Sequence, residues 1–364
     1  MEIELGRHAV EGKKETSGAE RTAPEAQKGS EPRPSRLSGL LRAPELGAVT
    51  TAVLLYTFFA AMSVGKGFVS LDGTASWLNT ASQLGIIAVP VGLLMIGGEF
   101  DLSIGSMVGV GSITIGLLTG YLHYSLWFAV AVAAAVAVTV GVTNGVLVTR
   151  TRLPSFIVTL GTNLIMAGLG LAIADTVAQS TSITVSATGP ISKLFNGTWR
   201  EFSISNLWWL LVAIVATWVL AQTRTGNWIL AMGDDDERAR RAGVITTRLK
   251  ILLFICTATA ATFVGIMQAV QFNTGDPTTG QGYVFEAPIV CVIGGVLLTG
   301  GYGTIPGVVV GTVIYGVVNA GLFYTGWDTD YAEVVIGVLM VVAVVTNNSV
   351  RTMAMRAFTP RKVR

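Results

Sequence analysis

The sequence predicts an all-α polytopic membrane protein of about ten transmembrane helices, with broken or re-entrant segments and both termini in the cytoplasm. Three observations predict it. The 364 residues are 51% hydrophobic and only 13% charged, with a mean hydropathy of +0.62, whereas an ordinary soluble domain carries roughly 25% charge. Apolar runs of about 20 residues, the length that crosses the hydrocarbon core, recur from Leu46 to Thr346. Placing both termini inside leaves only Lys66, Lys193 and Arg200, of the 24 Lys and Arg, on the outer side. That bias is the positive-inside rule, and it supports an even number of spans.

Residues 1–43 are rich in Glu, Lys, Arg, Pro, Gly and Ser and carry no apolar core. They are expected to form a disordered cytoplasmic tail. No secretory signal is expected, because basic residues lead into a full-length apolar helix without a small-residue cleavage pattern. The transmembrane domain occupies 44–348, with spans at 46–65, 77–97, 102–122, 125–148, 155–176, 206–223, 251–272, 285–300, 305–325 and 331–347. An external loop of residues 177–205, rich in Ser, Thr and Ile, is read either as a docking surface for an external partner or as a polar connector. Residues 349–364 form a basic cytoplasmic tail.

The 43 glycines recur at four-residue spacing, as in Gly105/Gly109, Gly141/Gly145 and Gly303/Gly307/Gly311. In lipid such spacing lets helix backbones approach closely. Cys256 and Cys291 lie inside spans and match no metal or redox spacing. With His8 and His123 the only histidines, a multi-histidine metal site is excluded. No metal, cofactor or nucleic acid partner is expected. The chain has no Gly-x4-Gly-Lys-Ser/Thr phosphate loop, so any nucleotide that drives it must bind another chain.

Charge inside a span costs on the order of 2.5–3.5 kcal/mol on insertion scales, so each instance calls for a reason. Glu99 and Asp101 fall in Gly97-Gly98-Glu99-Phe100-Asp101-Leu102-Ser103-Ile104, where one apolar segment stops and the next starts. One reading is an N-cap, with Asp101 or Ser103 accepting from the free amides of the following helix. The other is a break part-way into the membrane that turns polar groups toward a permeation path. Asn144, Asn163, Gln268, Glu286 and Asn319 are the remaining intramembrane polar residues, read as interhelical glue or as path lining. Glu99, Asp101, Ser103, Asn163, Glu286 and Asn319 form the candidate substrate pathway.

The densest charge between the first and last spans is Gly233, Asp234, Asp235, Asp236, Glu237, Arg238, Ala239, Arg240, Arg241, Ala242 and Gly243, within the cytoplasmic loop 224–250. Acids lead and arginines follow, which suits the dipole of a short helix from Asp235 to Ala242, stopped by Gly243. Joined directly to two spans, such a helix is placed to pass a partner's rigid-body motion to the bundle.

Four stretches carry a resemblance that covers roughly Leu46 to Thr346: Gly98 to Ser106, Leu153 to Gly161 (Leu-Pro-Ser-Phe-Ile-Val-Thr-Leu-Gly), Gly233 to Val244, and Pro277 to Leu322 with its repeated glycines. Through them the chain resembles the permease subunit of bacterial ATP-binding-cassette importers for monosaccharides, the ribose-type ABC family. The resemblance implies a multi-pass protein of the bacterial cytoplasmic (inner) membrane, not itself an enzyme. It further implies a paired second permease subunit, two cytoplasmic ABC ATPase subunits and an extracytoplasmic sugar-binding protein. By the same resemblance, Gly233, Asp235, Asp236, Glu237, Arg238, Arg240, Arg241 and Gly243 would form the segment that couples to the ATPase. Asp234 to Arg238 depart from the common Gly-Asn-Glu-Ala-Ala run there, and Glu99 stands where a small residue is common. An ion-driven secondary transporter is the alternative; an intramembrane enzyme would need a catalytic constellation that the sequence does not offer.

Overall fold

The computed structural model describes residues 45–187 and 189–358, with side chains placed for 47–187 and 189–345. The predicted disordered tail, 1–43, and residues 359–364 of the basic tail lie outside the described residues. Each of the ten predicted apolar segments is met by a helix. These are α1 (Glu45–Met62), α2 (Leu71–Ile96), α3 (Ile104–Ile115, continued by a π-helical turn to Tyr121), α4 (Leu126–Thr151) and α5 (Ser155–Ala178). After a short α6 (Lys193–Asn196) come α7 (Ser205–Gln222), α8 (Arg224–Asp234), α9 (Asp236–Arg241) and α10 (Thr246–Phe272). The series ends with α11 (Tyr283–Ile293), α12 (Ile305–Thr325) and α13 (Tyr331–Phe358).

Seven of the described helices are long and apolar enough to cross a membrane, and Gly47–Met62, Tyr283–Ile293 and Tyr331–Val345 are shorter apolar helices. The predicted span 285–300 is therefore corrected: α11 has 11 residues and stops at Ile293, about 16 Å of helix against a hydrocarbon core of about 30 Å. The sequence from Gly294 to Thr304 then runs as an irregular, glycine-rich break into α12. At the other end α13 stays helical past the predicted domain end at 348.

Helices α2, α3 and α10 form the centre. The apolar stretch of α2 is 83% buried and that of α5 only 17%, so α5 packs with one narrow face and leaves the rest outside the packed bundle. Gly141 and Gly145 of α4 set the approach to α10, since a Cβ on either would sit 2.6 Å from the Cα of Ile255 or Ile251. The segment 177–205 forms the hairpin Thr198–Trp199 with Phe202–Ser203, and its Ile183–Thr184 pairs with Thr274–Gly275 after α10.

Helices α2 and α11 stop in the same way. Gly97 and Gly294 keep helical backbone, and Gly98 and Gly295 turn left-handed with φ of 85° and 94°. The amides of Glu99 and Val296 then reach back to the carbonyls of Leu94 and Cys291 at 3.1 and 3.0 Å. This is the Schellman helix stop, for which glycine at the left-handed position avoids a Cβ clash.

Candidate functional site

The break after α2 is held open by side chains from other helices. Ser155, Thr159 and Asn163 recur every four residues on α5 and so share one face. Their oxygens accept from the backbone amides of Phe100 (2.9 Å), Leu102 (3.0 Å) and Ser106 (2.9 Å). Two amides of the break and one in the first turn of α3, that of Ser106, thus find their acceptors on a neighbouring helix. The N-cap reading is corrected to that extent: Ser103 has φ −73° and ψ −12° and makes no side-chain cap bond. An N-cap hydroxyl reaches the N2 or N3 amide from extended backbone, which Ser103 lacks.

Asp101 turns inward. Its carboxylate accepts from the amide (2.9 Å) and hydroxyl (2.5 Å) of Ser103 and from the hydroxyl of Thr257 on α10 (2.5 Å). The amide group of Asn144 donates to the Ser103 hydroxyl oxygen at 3.0 Å and accepts from Thr162 at 2.7 Å. Asp101, Ser103, Asn144, Asn163 and Thr257 are all buried. A buried carboxylate that accepts from both the amide and the hydroxyl of Ser103 orders the backbone of the break around it.

Glu99 faces the other way. Its Oε1 lies 2.6 Å from Nζ of Lys250 on α10, which lies 3.5 Å from Asp236 Oδ2 on α9. A cleft of about 650 Å³ opens there, lined by Glu99, Arg152, Asp236, Glu237, Arg240 and Lys250 with neighbouring apolar residues.

The charged segment forms its short helix nearly at the predicted bounds. Asp235 is the N-cap, accepting from the Arg238 amide at 2.9 Å. That bond, and then the Arg238 guanidinium, hold the Asp235 carboxyl below its usual range. Three ion pairs run along the helix: Arg238–Asp235 at 2.9 Å, Arg240–Asp236 at 3.0 Å and Arg241–Glu237 at 2.5 Å. Gly243 follows in the left-handed region with φ 88°. Just before α9, Gly233 is locked into a three-way junction, because a Cβ there would meet the Ile96 carbonyl at 1.9 Å and the Gly301 amide at 2.4 Å. The Gly301 amide donates to that same carbonyl at 2.8 Å. The lead-in to α9 is therefore packed against the stop of α2 and the break before α12.

Glu286 and Asn319 lie in a separate half-buried polar row with no bond to the Asp101 network. Glu286 is hydrogen-bonded to Tyr315, which also bonds Asn319. Gln268 donates to the Tyr283 hydroxyl at 2.9 Å and to Gln83 at 2.8 Å, and Gln83 donates to Gln271 at 3.0 Å. The structure therefore divides the six candidate pathway residues into three settings: Asp101, Ser103 and Asn163 together, Glu99 with Lys250, and Glu286 with Asn319. Sequence reasoning passed over Ser155 and Thr159, although their spacing with Asn163 was visible, and over Lys250, Gln83, Tyr283 and Tyr315.

Residues 73–344 match the family model described as branched-chain amino acid transport system / permease component. The chain belongs to this family. Among its relatives, the ribose import permease protein RbsC of Escherichia coli (strain K12) is 28% identical over 299 residues, covering 81% of this chain and 91% of the relative. The fructose import permease protein FrcC of Rhizobium meliloti is 29% identical over 313 residues, covering 84% and 86%. The autoinducer 2 import system permease protein LsrC of Yersinia pestis (strain Pestoides F) is 30% identical over 312 residues, covering 80% and 83%. No solved structure matches. The expected resemblance to an ABC sugar permease is met, and the chain is a transporter component, a multi-pass protein of the inner membrane.

Proposed function

We propose that this chain is the membrane subunit of an ATP-driven importer for a monosaccharide or related polyol. It works as a pair, with cytoplasmic ABC ATPase subunits and an extracytoplasmic sugar-binding protein. The observation that carries the reading is α9, a short charged helix whose lead-in, Gly233, is packed without slack against the stop of α2 and the break before α12. Relatives named as importers of ribose, fructose and autoinducer 2 support the solute class.

In this reading the ATPase grips Gly233, Asp235, Asp236, Glu237, Arg238, Arg240, Arg241 and Gly243, and its closure rocks the bundle between outward and inward states. Solute passes along the row that contains Glu286 and Asn319, joined by Gln83, Gln268, Tyr283 and Tyr315. Amide, phenol and carboxylate groups suit a polyhydroxyl solute, since each offers a donor or an acceptor to a hydroxyl. Glu99, Asp101, Ser103 and Asn163 serve the pathway by shaping the break beside it. The external loop 177–205 is the proposed contact for the binding protein.

Reversing Arg238, Arg240 and Arg241 to Glu tests the coupling. ATPase co-purification and solute uptake into proteoliposomes are both expected to be lost; unchanged retention and uptake would remove α9 from the interface. Uptake that persists when a proton or sodium gradient is collapsed, and stops when ATP is withdrawn, is the expected energetic signature. The reverse pattern would favour an ion-driven transporter.

A further inference from the structure

Two side chains one turn apart on α9 meet two side chains one turn apart on α10. Asp236 and Arg240 are separated by four residues, as are Thr246 and Lys250, and residues so spaced share a helix face. Arg240 Nε donates to the Thr246 hydroxyl oxygen at 2.8 Å, and Lys250 Nζ lies 3.5 Å from Asp236 Oδ2. The two helices are thus engaged turn for turn. Lys250 also holds Glu99 in the break at 2.6 Å, with its side chain 10% exposed and that of Glu99 12%. Two turns further along α10, Thr257 donates to Asp101 in the same break.

The charges alternate along this path: Glu99, Lys250, Asp236, Arg240. The outer pairs of α9 behave differently. Arg238 and Arg241 pair with Asp235 and Glu237 of their own segment, with side chains 80% and 77% exposed, and exposed pairs contribute little. A buried cation is another matter, because removing one of its anions leaves uncompensated charge in a poorly solvated site. The path is therefore stiff at Lys250 and loose at its outer end.

We propose that Lys250 is a positioning residue for coupling. By holding Glu99 and Asp236 at once, it makes α9, the start of α10 and the break at 97–103 move as one body when a partner displaces α9. The proposal rests on the reading of α9 as the ATPase contact.

Two measurements test it. The first uses the full chain alone in lipid nanodiscs and follows hydrogen–deuterium exchange in peptides covering 97–106 and 236–243. Glu99→Gln weakens one contact of Lys250 and Asp236→Asn the other. Each change is expected to raise exchange in both peptides by about tenfold, and the double variant to add less than the sum of the two. Lys250→Arg is expected to keep the protection and Lys250→Met to lose it. If Lys250→Met does not fold, Lys250→Met/Glu99→Gln, which buries no unpaired charge, takes its place. Exchange that rises only in the peptide carrying the substitution overturns the proposal.

The second measurement uses the complex assembled with its ATPase and binding protein. Lys250→Met is expected to lower solute taken up per ATP hydrolysed by about tenfold while the ATPase still co-purifies. An unchanged ratio overturns the proposal. Failure of the wild-type chain to retain any ATPase would overturn the reading of α9, and with it the coupling role of Lys250. The exchange measurement needs no partner, so the two failures are told apart.

Discussion

The breaks after α2 and after α11 start from one geometry and are completed by different means. Both begin with paired glycines, Gly97-Gly98 and Gly294-Gly295, in the same helix stop. Beyond it, the second break draws mostly on its own backbone, apart from the Gly301 amide, which donates to the Ile96 carbonyl of α2. Gly300, Gly301 and Gly303 take positive φ, the Leu297 amide bonds the Tyr302 carbonyl, and Thr304 caps its own helix by accepting from the Gly307 amide at 3.2 Å. The first break borrows its partners: Ser155, Thr159 and Asn163 from α5, Asn144 from α4, Thr257 and Lys250 from α10. A backbone-specified turn is fixed locally, whereas a turn held by neighbouring helices depends on where those helices stand. Under the proposed rocking of the bundle, the borrowed break is the one that helix movement would reach.

The contrast can be broken at several points. Asp101→Ala carries the largest expected effect, because it strands the buried Ser103 amide and hydroxyl together, while the Thr257 hydroxyl keeps the Phe254 carbonyl at 2.9 Å. With each buried unpaired group costing about 1–3 kcal/mol, a loss of about 3 kcal/mol or more is expected. It would be read as a lowered thermal unfolding midpoint in detergent. A near-neutral result would mean that water replaces the carboxylate and that the first break is not held by its network.

Gly233→Ala should come next, at about 1–3 kcal/mol for forced overpacking, since the obstructing atoms are backbone. Because Gly233 touches both the α2 stop and the second break, amide exchange should rise in peptides spanning 97–103 and 294–304 alike. A change confined to one of them would show that the junction does not join the breaks.

Asn163→Leu against Thr304→Val sharpens the comparison. The first removes the acceptor for the Ser106 amide and should cost about 1–2 kcal/mol; the second removes a local cap and should cost about 1 kcal/mol. Only Asn163→Leu should also lower uptake. If Thr304→Val impairs uptake more, the roles assigned to the two breaks are reversed.

The smallest effect concerns pH at α9. The folded-state carboxyl of Asp235 sits below its ordinary value of 3.8, so its stabilisation of the helix is complete above that value and is lost as pH falls below it. A spin label at Arg241→Cys should gain mobility on acidification below about pH 4. Adding Asp235→Asn, which keeps an acceptor but not the charge, should remove that dependence. A pH response unchanged by Asp235→Asn would assign the effect to another acid.

Much of the fold was legible because its causes are local in sequence. Apolar length marked the ten segments, and only the one at 285–300 proved to be a short helix with a break, since Val296, Leu297 and Leu298 extend the apolar run beyond a glycine stop. Helix-end chemistry placed α9, where Asp235 caps and Gly243 follows as expected. The candidate site was legible only in part. Asp101, Ser103 and Asn163 were visible as polar residues in or beside apolar segments, yet the partners that place them lie 57 and 156 positions away in the sequence, as Ser106–Asn163 and Asp101–Thr257 show. Lys250 looked like one more cytoplasmic cation until the fold buried it against Glu99.

The sequence by itself determined that this chain lives in a membrane, where its apolar segments lie, and that it carries a charged helix between two of them. Those properties follow from hydropathy, spacing and caps, all of which act within a few residues. Only the tertiary structure decided that Asp101 accepts from Ser103 and Thr257, that Glu99 pairs with Lys250, and that Glu286 and Asn319 form a separate polar row. Such assignments depend on which distant group satisfies a buried polar atom, and burial pairs residues by space and not by order along the chain.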